Sequence, residues 1–172
     1  VPIPDEPLRS LILAGSVERW PHSSSCGRWF DLAAVHCGVA RLVTHEGEAA
    51  MALETLAVAA RQQAERCEGS GSGAARRKRW LTACRARIDD QGLLDLTPVV
   101  LGLATLADGA EAAWLFHEAL TEGLCRWIVS HAQIQGRQRV ILGGGCLANR
   151  WLAENLLQRL AEQGIMGFLN RQ

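Results

Sequence analysis

The sequence predicts a helix-rich α/β fold with one short β–glycine–α unit near the carboxyl end. Long stretches repeat apolar residues every three or four positions, as amphipathic helices do. Near the end, Val140-Ile141-Leu142 runs into Gly143-Gly144-Gly145 and then into another amphipathic stretch, which is the pattern of strand, turn and helix. Residues 165–169 form a further short apolar run. Since this run is the one other strand candidate, we expect it to pair with residues 140–142 and helix to outweigh strand by a wide margin.

Size and composition are those of one ordinary globular domain. The chain has 172 residues, 48% of them hydrophobic, and a formal net charge of zero. No apolar run approaches the roughly 20 residues that span a bilayer, and the first residues do not resemble an export signal. We therefore expect a cytoplasmic protein without membrane contact. The first residue is valine rather than methionine, which predicts a segment excised from a longer chain.

The first half is predicted to be helical. Residues 5–19 carry leucines and an isoleucine among polar residues, typical of a short helix. A second helix is expected from residues 28–37, with the preceding serines as caps and Gly38 at its end. Residues 48–66, rich in alanine, leucine and glutamate, predict a third.

Residues 68–79 are predicted to form a flexible linker. Glycine alternates with serine up to Gly73, a composition typical of spacers, and four cations follow at positions 76–79. Four adjacent cations can contact nucleic acid. Because the net charge is zero and no aromatic residues lie between them, we favour a solvated loop and expect no nucleic-acid partner.

The second half contains the longest regular element. Two helices are predicted, over residues 80–88 and 93–106, and the second has Pro98 near its start. Residues 110–135 keep one apolar face throughout, and residues 149–163 form the last predicted helix. The chain thus divides into a mainly helical part, 1–135, and a β–glycine–α–β unit, 136–172.

Cysteine and histidine spacing does not predict a metal site. The six cysteines contain no CxxC pair, so we expect reduced thiols that pack as small apolar side chains. Cys146 stands out because it follows the glycine turn, where a helix N-terminus lowers a thiol pKa. His117 and His131 have no chelating partner at a recognisable spacing, so we expect them to pack and to donate or accept hydrogen bonds.

The glycine run itself has two interpretations. Glycines without Cβ atoms let a ligand approach the main chain, and the helix starting near Asn149 would point unpaired N–H groups at the turn, favouring a phosphate. Equally, β–α turns use glycine for steric reasons alone. The turn does not decide between a ligand site and a structural turn.

Three short segments together are more specific. They are Ser23-Ser24-Ser25-Cys26-Gly27-Arg28-Trp29-Phe30-Asp31, Thr44-His45-Glu46-Gly47-Glu48-Ala49-Ala50-Met51 and Gly143-Gly144-Gly145-Cys146-Leu147-Ala148-Asn149-Arg150. In this order they resemble the carboxy-terminal part of the hydrogenase-maturation carbamoyltransferases, the HypF family, over nearly the whole chain. The resemblance implies a partial carbamoyltransferase domain and a fragment of a two-lobed actin-like or sugar-kinase ATPase fold.

Carried onto this sequence, the resemblance implies a nucleotide site. Asp31 would accept hydrogen bonds from the ribose hydroxyls, with Gly27 leaving room beside it, and Gly47 would allow close approach of the nucleoside. Three further residues, Gly144, Gly145 and Asn149, would hold the phosphate. The implied set also includes Ser25 and Glu46.

Each of these residues also has a structural alternative. Asp31 could be a solvated helix carboxylate, Ser25 a cap, Gly47 a turn residue and Asn149 an N-cap. The sequence departs from the family pattern at Gly143, usually serine, and at Cys146, usually valine. The family's metal-binding histidines and its Asp-Gly-Gly motif are not in this sequence, so any metal of the full-length protein would have its ligands elsewhere.

The family implies a reaction. Carbamoyl-adenylate, formed from carbamoyl phosphate and ATP, gives its carbamoyl group to the carboxy-terminal cysteine of the partner HypE. No catalytic residue can be named in this segment, and alone we expect it to be inactive. The alternatives are an antibiotic O-carbamoyltransferase, a sugar-kinase-like phosphotransferase of the same fold, and a helical interaction fragment without activity.

Overall fold

A computed structural model describes residues 24–39, 43–67 and 72–170, and these fold into a helical layer beside a small parallel sheet. The predicted helix over residues 5–19 lies outside the described residues. In chain order the elements are α1 (Cys26–His36), α2 (Glu48–Cys67), α3 (Ser72–Ala83), β1 (Arg87–Ile88), β2 (Leu94–Asp95), α4 (Thr97–Leu103), α5 (Gly109–Ile134), β3 (Arg139–Leu142), a 3₁₀ turn (Gly145–Ala148), α6 (Arg150–Glu162) and β4 (Met166–Leu169). The helix-rich α/β prediction is confirmed.

Helix α5 is the centre of the molecule. Its 26 residues begin where the Asp108 carboxylate accepts hydrogen bonds from the N–H groups of Ala110 and Glu111. Its buried face then contacts α1, α2, α4 and α6. The longest predicted helix, 110–135, is therefore confirmed. Its apolar stripe is core from Ala113 to Leu120, whereas Ile134 at the far end is exposed. The largest fully buried apolar side chains on α5 and around it are Phe30, Leu53, Val99, Leu103, Leu115, Phe116, Leu120, Leu152, Leu156 and Leu160.

The β–turn–α–β unit has the predicted pairing. Strands β3 and β4 are parallel, with Val140 opposite Gly167 and Ile141 opposite Phe168. Helix α6 connects them and packs on the inner face, where an added Cβ at Gly167 would come within 2.6 Å of Leu157 Cδ2. Ile141 and Phe168 are exposed on the outer face. Only a glycine at position 167 lets α6 lie this close to the sheet.

Two predictions around residue 85 were wrong in extent. Helix α3 ends at Ala83 rather than continuing to residue 88, and residues 87–88 pair antiparallel with residues 94–95. The Asp89 carboxylate closes this hairpin by accepting hydrogen bonds from the N–H groups of Gln91 and Leu93. Residues 93–96 consequently precede α4, which starts with Pro98 in its first turn as predicted.

The predicted linker over residues 68–79 was also wrong from residue 72 onward. Residues 72–79 belong to α3, because two of its cations bind α5: the Arg76 guanidinium donates to the Glu111 carboxylate at 2.6 Å, and that of Arg77 lies 4.6 Å from the centre of the Trp114 ring. The solvated-loop interpretation of the arginine run is therefore replaced by a helix docked on its neighbour.

Within the described ranges, no helix is both long and apolar enough to cross a membrane.

Five cysteines of the described residues are free thiols, namely Cys26, Cys37, Cys84, Cys125 and Cys146. Helix α1 ends as predicted, with Gly38 at φ +74° just beyond it.

We expect Gly102→Ala to destabilise the fold by about 1–3 kcal/mol, the usual cost of overpacking. The added Cβ would lie 2.7 Å from Cys84 Cβ and 3.0 Å from Trp80 Cζ2, and the Gly102 carbonyl already accepts a hydrogen bond from Trp80 Nε1 at 3.1 Å. Urea unfolding measures the change. Gly73→Ala is the matched control, since its Cβ would meet only the movable end of Arg77. Equal unfolding midpoints for both variants would contradict the packing explanation.

Candidate functional site

The glycine turn lies exposed between the end of β3 and the 3₁₀ turn. Leu142 is buried, whereas Gly143, Gly144 and Gly145 are all exposed. Gly144 has φ +116°, a conformation that L-residues rarely adopt, so this position requires glycine. Gly145 has no such requirement, and a Cβ built on it would meet no atom within 4 Å. The space in front of Gly145 is therefore open to a ligand.

The turn also contains main-chain donors that no turn or loop hydrogen bond of the described residues uses. The first bonds of the 3₁₀ turn and its cap are Leu147 N–H to Gly144 O, 3.1 Å, and Asn149 N–H to Cys146 O, 3.2 Å. Among the turn and loop hydrogen bonds of the described residues, none uses the N–H groups of residues 143–145 as donors to the main chain. Successive exposed N–H groups of this kind form an anion-binding concavity.

Helix α6, in contrast, does not offer the unpaired donors that the sequence predicted. The Leu152 N–H donates to Asn149 Oδ1 and the Trp151 N–H to Glu54 Oε1, each at 2.8 Å. Glu54 belongs to α2, so a carboxylate from a distant part of the chain already occupies the positive end of α6. The prediction of unpaired N–H groups was wrong for these two residues, which leaves the turn itself as the candidate for binding an anion.

Asn149 is buried, and both polar atoms of its side-chain amide form hydrogen bonds. Its Oδ1 caps α6, and its Nδ2 lies 3.1 Å from His117 Nε2. His117 Nδ1 lies 2.8 Å from the Ala113 carbonyl, which can only accept, so Nδ1 carries the hydrogen and Nε2 accepts from Asn149. The structure thus gives Asn149 the N-cap role that was the alternative interpretation. One Nδ2 hydrogen remains, and its use toward a phosphate stays a prediction.

His117 is fully buried in an aromatic cluster. Its ring packs against Phe30, Phe116 and Trp151 with centroid separations of 5.6, 5.7 and 5.9 Å. Burial lowers the pKa of His117 from 6.5 to about 4, outweighing the opposing effect of its hydrogen bond to Ala113. The ring is neutral at pH 7, as a packing and hydrogen-bonding histidine should be, and it joins α1, α5 and α6.

The first segment reaches the glycine turn through the beginning of α1. A Cβ built on Gly27 would lie 4.0 Å from Cys146 Sγ and 3.5 Å from Ser25 Oγ. Ser25 holds the N-cap position of α1 and is exposed. Asp31 lies one helical turn after Gly27 and therefore on the same face of α1. Its half-buried carboxylate pairs with Arg28 at 2.8 Å.

The second segment lies at the start of α2. Gly47 has φ +82° and its carbonyl accepts the first helical hydrogen bond, from the Met51 N–H at 2.9 Å. Glu46 is exposed beside it. Hydrogen bonds from Thr44, chiefly from its N–H at 2.6 Å, lower the pKa of the exposed Glu48 carboxyl. The contact with α6 is made further along α2, by Glu54, which the sequence reasoning had not identified.

An apolar cavity of about 540 Å³ opens beside the turn, between α5 and β3. Its lining includes Trp127, Val140, Gly143, Cys26 and Cys146. Among the described residues, no three His, Cys, Asp or Glu side chains lie close enough together to hold a metal ion.

Comparison with known proteins adds to this geometry. Residues 8–172 match the profile of the family described as carbamoyltransferase, Kae1-like domain, second subdomain. Carbamoyltransferase HypF2 of Cupriavidus necator is 36% identical over 98% of this chain, and carbamoyltransferase HypF of Rhizobium leguminosarum bv. viciae is 39% identical over 88%. The chain spans only 22% and 18% of these two relatives.

A solved structure has the same fold. The crystal structure of full-length HypF in its phosphate- and nucleotide-bound form superposes with a TM-score of 0.66, covering 94% of this chain and 20% of that one, at 23% identity. The similarity establishes the fold predicted for the chain.

We expect the stability of the protein to fall as the pH drops from about 6.5 toward 4. Over this window the unfolded chain protonates His117 while the folded chain keeps it neutral, so protons favour unfolding and up to about 3 kcal/mol is lost. His117→Gln should be less stable at pH 7 but should lack this component of the pH dependence. Urea unfolding at pH 7, 6 and 5 measures both, and equal pH slopes for the two proteins would contradict the assignment.

Proposed function

Since the chain belongs to the HypF carbamoyltransferase family, as the second subdomain of its Kae1-like domain, we propose that it binds a nucleotide at the glycine turn during carbamoyl transfer. The observation that carries the proposal is the exposed turn, with main-chain donors not used in other turn or loop bonds and open space in front of Gly145. The superposed HypF structure, which is the phosphate- and nucleotide-bound form, supports it.

The phosphate is held by main chain. The N–H groups of Gly144 and Gly145 donate to phosphate oxygens, and charge-assisted bonds of this kind are about twice as strong as neutral ones. Asn149 fixes the position of the turn by capping α6 and binding His117, and its remaining Nδ2 hydrogen is available to a phosphate oxygen. Glu54, already at the N-terminus of α6, keeps the anion toward the turn and away from the helix.

The sugar and base are held by the first two segments. Asp31 lies one helical turn after Gly27 on the same face of α1, and Gly27 in turn lies near Cys146. In this proposal its carboxylate accepts hydrogen bonds from the two ribose hydroxyls. At the start of α1, Gly27 leaves space for the sugar because it has no side chain, and Ser25 contributes a polar hydroxyl group. Glu46 and Gly47, exposed at the start of α2, contact the nucleoside from the second segment.

The nucleotide is the leaving group of the reaction. In carbamoyl-adenylate, a thiolate attacks the carbamoyl carbon and the bond from that carbon to the phosphate oxygen breaks, giving a thiocarbamate and AMP. The thiolate belongs to the carboxy-terminal cysteine of HypE, and carbamoyl phosphate and ATP supply the adenylate. This chain binds the phosphate group of the departing AMP. Binding orients the carbamoyl carbon toward the thiolate and stabilises the negative charge that develops on the phosphate.

The complete reaction requires more than this segment. The chain spans about a fifth of the carbamoyltransferases it matches, so the other parts of the enzyme form the adenylate and face the nucleotide. We therefore propose that the isolated segment is inactive in transfer, and that the whole enzyme acts in the cytoplasm in hydrogenase maturation.

We expect Gly145→Ala to weaken binding of AMP, or of a nonhydrolysable carbamoyl-adenylate mimic, at least about tenfold, or roughly 1.4 kcal/mol. The Cβ fills the ligand space without touching the protein, so unfolding by urea should change little. Calorimetry measures binding in two proteins: this chain alone, and a chimera in which it replaces the matching segment of Cupriavidus necator HypF2.

Gly73→Ala, on α3, is the matched control and should bind like the unmodified chain. Binding in neither the chain nor the chimera would overturn the nucleotide proposal, as would equal affinity for the two glycine variants. A chimera that binds while the chain does not would show that the facing part of the enzyme is required.

We expect Asp31→Asn in the chimera to weaken AMP binding about tenfold, because a neutral amide accepts hydrogen bonds from the ribose less strongly than a carboxylate. Affinity for inorganic phosphate should stay the same, since Asp31 contacts the sugar. Asp90→Asn, an exposed acid in the β1–β2 hairpin, controls for net charge. An equal loss of AMP and phosphate affinity would contradict the assignment of Asp31 to the ribose.

A further inference from the structure

Two thiols meet where the first and third segments touch. Cys26 is the first residue of α1, and Cys146 is the second residue of the 3₁₀ turn. Cys146 Sγ lies 4.0 Å from the position a Cβ would take on Gly27, the residue next to Cys26. Both cysteines line the cavity of about 540 Å³ beside the turn, and both are only partly buried. The two thiols are thus neighbours in one cavity and reachable from solvent.

Each thiol is the sequence neighbour of a glycine of the proposed nucleotide site. Cys26 directly precedes Gly27, and Cys146 directly follows Gly145. The other described cysteines lie elsewhere: Cys37 ends α1, Cys84 follows α3 and Cys125 lies in α5. A covalent link between Cys26 and Cys146 would therefore connect the two sides of the site and nothing else.

We propose that Cys26 and Cys146 are a reversible modification site, forming a disulfide by exchange with a small-molecule disulfide such as glutathione disulfide. We further propose that this bond weakens nucleotide binding at the glycine turn, a second step that rests on the function proposed above.

The exchange balances in two steps. The Cys146 thiolate attacks one sulfur of glutathione disulfide and expels one glutathione thiolate, leaving a mixed disulfide on Cys146. Cys26 then loses its proton to solvent and attacks the Cys146 sulfur, expelling the second glutathione. Two protein thiols are oxidised, and one glutathione disulfide is reduced to two glutathione molecules.

The burial of Cys26 indicates which of the two thiols reacts first with glutathione disulfide. Burial chiefly, together with the neighbouring Cys146, raises the pKa of Cys26 from 9.0 to about 12, so Cys26 stays protonated and is a poor first nucleophile. As the resolving thiol it acts on a sulfur held beside it, where proximity compensates for its small thiolate fraction.

The geometry of a Cys26–Cys146 disulfide gives a reason for weaker nucleotide binding. A disulfide holds two sulfurs about 2.05 Å apart, closer than any thiol–thiol hydrogen bond. Forming it requires the 3₁₀ turn and the start of α1 to move toward each other, and we expect this displacement beside Gly145 to weaken phosphate binding.

The experiment uses the chimera with Cupriavidus necator HypF2 and the chain alone, each equilibrated with glutathione and glutathione disulfide at several ratios. Peptide mass mapping should find a Cys26–Cys146 linked peptide, about 2 Da lighter than its two reduced parts combined. AMP affinity, measured by calorimetry, should fall at least about tenfold on oxidation and return with dithiothreitol.

Two variants sharpen the test. Cys146→Val carries the residue usual in the family pattern; it should bind AMP like the reduced protein and be insensitive to glutathione disulfide. Cys37→Ser removes a thiol from the other end of α1 and should leave the oxidative response intact.

Each result decides part of the proposal. Mixed glutathione adducts without the linked peptide would overturn the disulfide. A linked peptide with unchanged AMP affinity would overturn its effect on the site. Absence of AMP binding by the reduced chimera would overturn the proposed function and the regulatory step, while the linked peptide would still establish the modification site.

Discussion

The buried hydrogen bond from Asn149 to His117 is the constraint on which the rest of the site depends. It joins the start of α6 to the central helix α5 across 3.1 Å, in an aromatic cluster that also contains Phe30 of α1. Because His117 is neutral and donates its single ring N–H, on Nδ1, to the Ala113 carbonyl, its Nε2 can only accept, and Asn149 is fixed in one orientation. The amide oxygen then caps α6 and determines where the glycine turn leaves the sheet.

Charge around this bond favours the turn over the helix as the place for the proposed anion. Glu54 crosses from α2 to the Trp151 N–H and places a negative charge at the end of α6 where a phosphate would otherwise bind. Arg61 of the same helix lies 5.2 Å from the centre of the Trp151 ring and offsets part of that charge. The charges on α2 and at the start of α6 are therefore consistent with a ligand that binds the main-chain donors of the turn.

The sequence predicted what depends on local pattern and missed what depends on distant partners. Periodicity located α1, α2, α5 and α6, because each buries an apolar face, and two short apolar runs located the strands that pair. The helix over residues 72–79 was missed, since composition cannot reveal that Glu111 and Trp114 receive Arg76 and Arg77. The hairpin of residues 87–95 was missed for a similar reason: its two-residue strands are too short to show alternation.

At the site, the glycines were identified correctly as an exposed turn, and the N-cap interpretation of Asn149 was correct. Glu54 could not be found, because nothing in its own helix marks it as a cap for a helix almost a hundred residues later. His117 carried one usable signal, a polar ring in the middle of an otherwise apolar helical face. Its neutrality, however, follows from packing that only the folded chain shows.

Recognition by main chain has a consequence for how such a protein can change over evolutionary time. Where a ligand is bound by peptide groups, most neighbouring side chains can be substituted without loss of those contacts. Only positions such as Gly144, with φ +116°, are fixed by stereochemistry. Glycine in place of serine at position 143 and cysteine in place of valine at position 146 are substitutions that this scheme tolerates. A lineage can therefore acquire new chemistry at the rim of the turn while its ancestral ligand geometry persists.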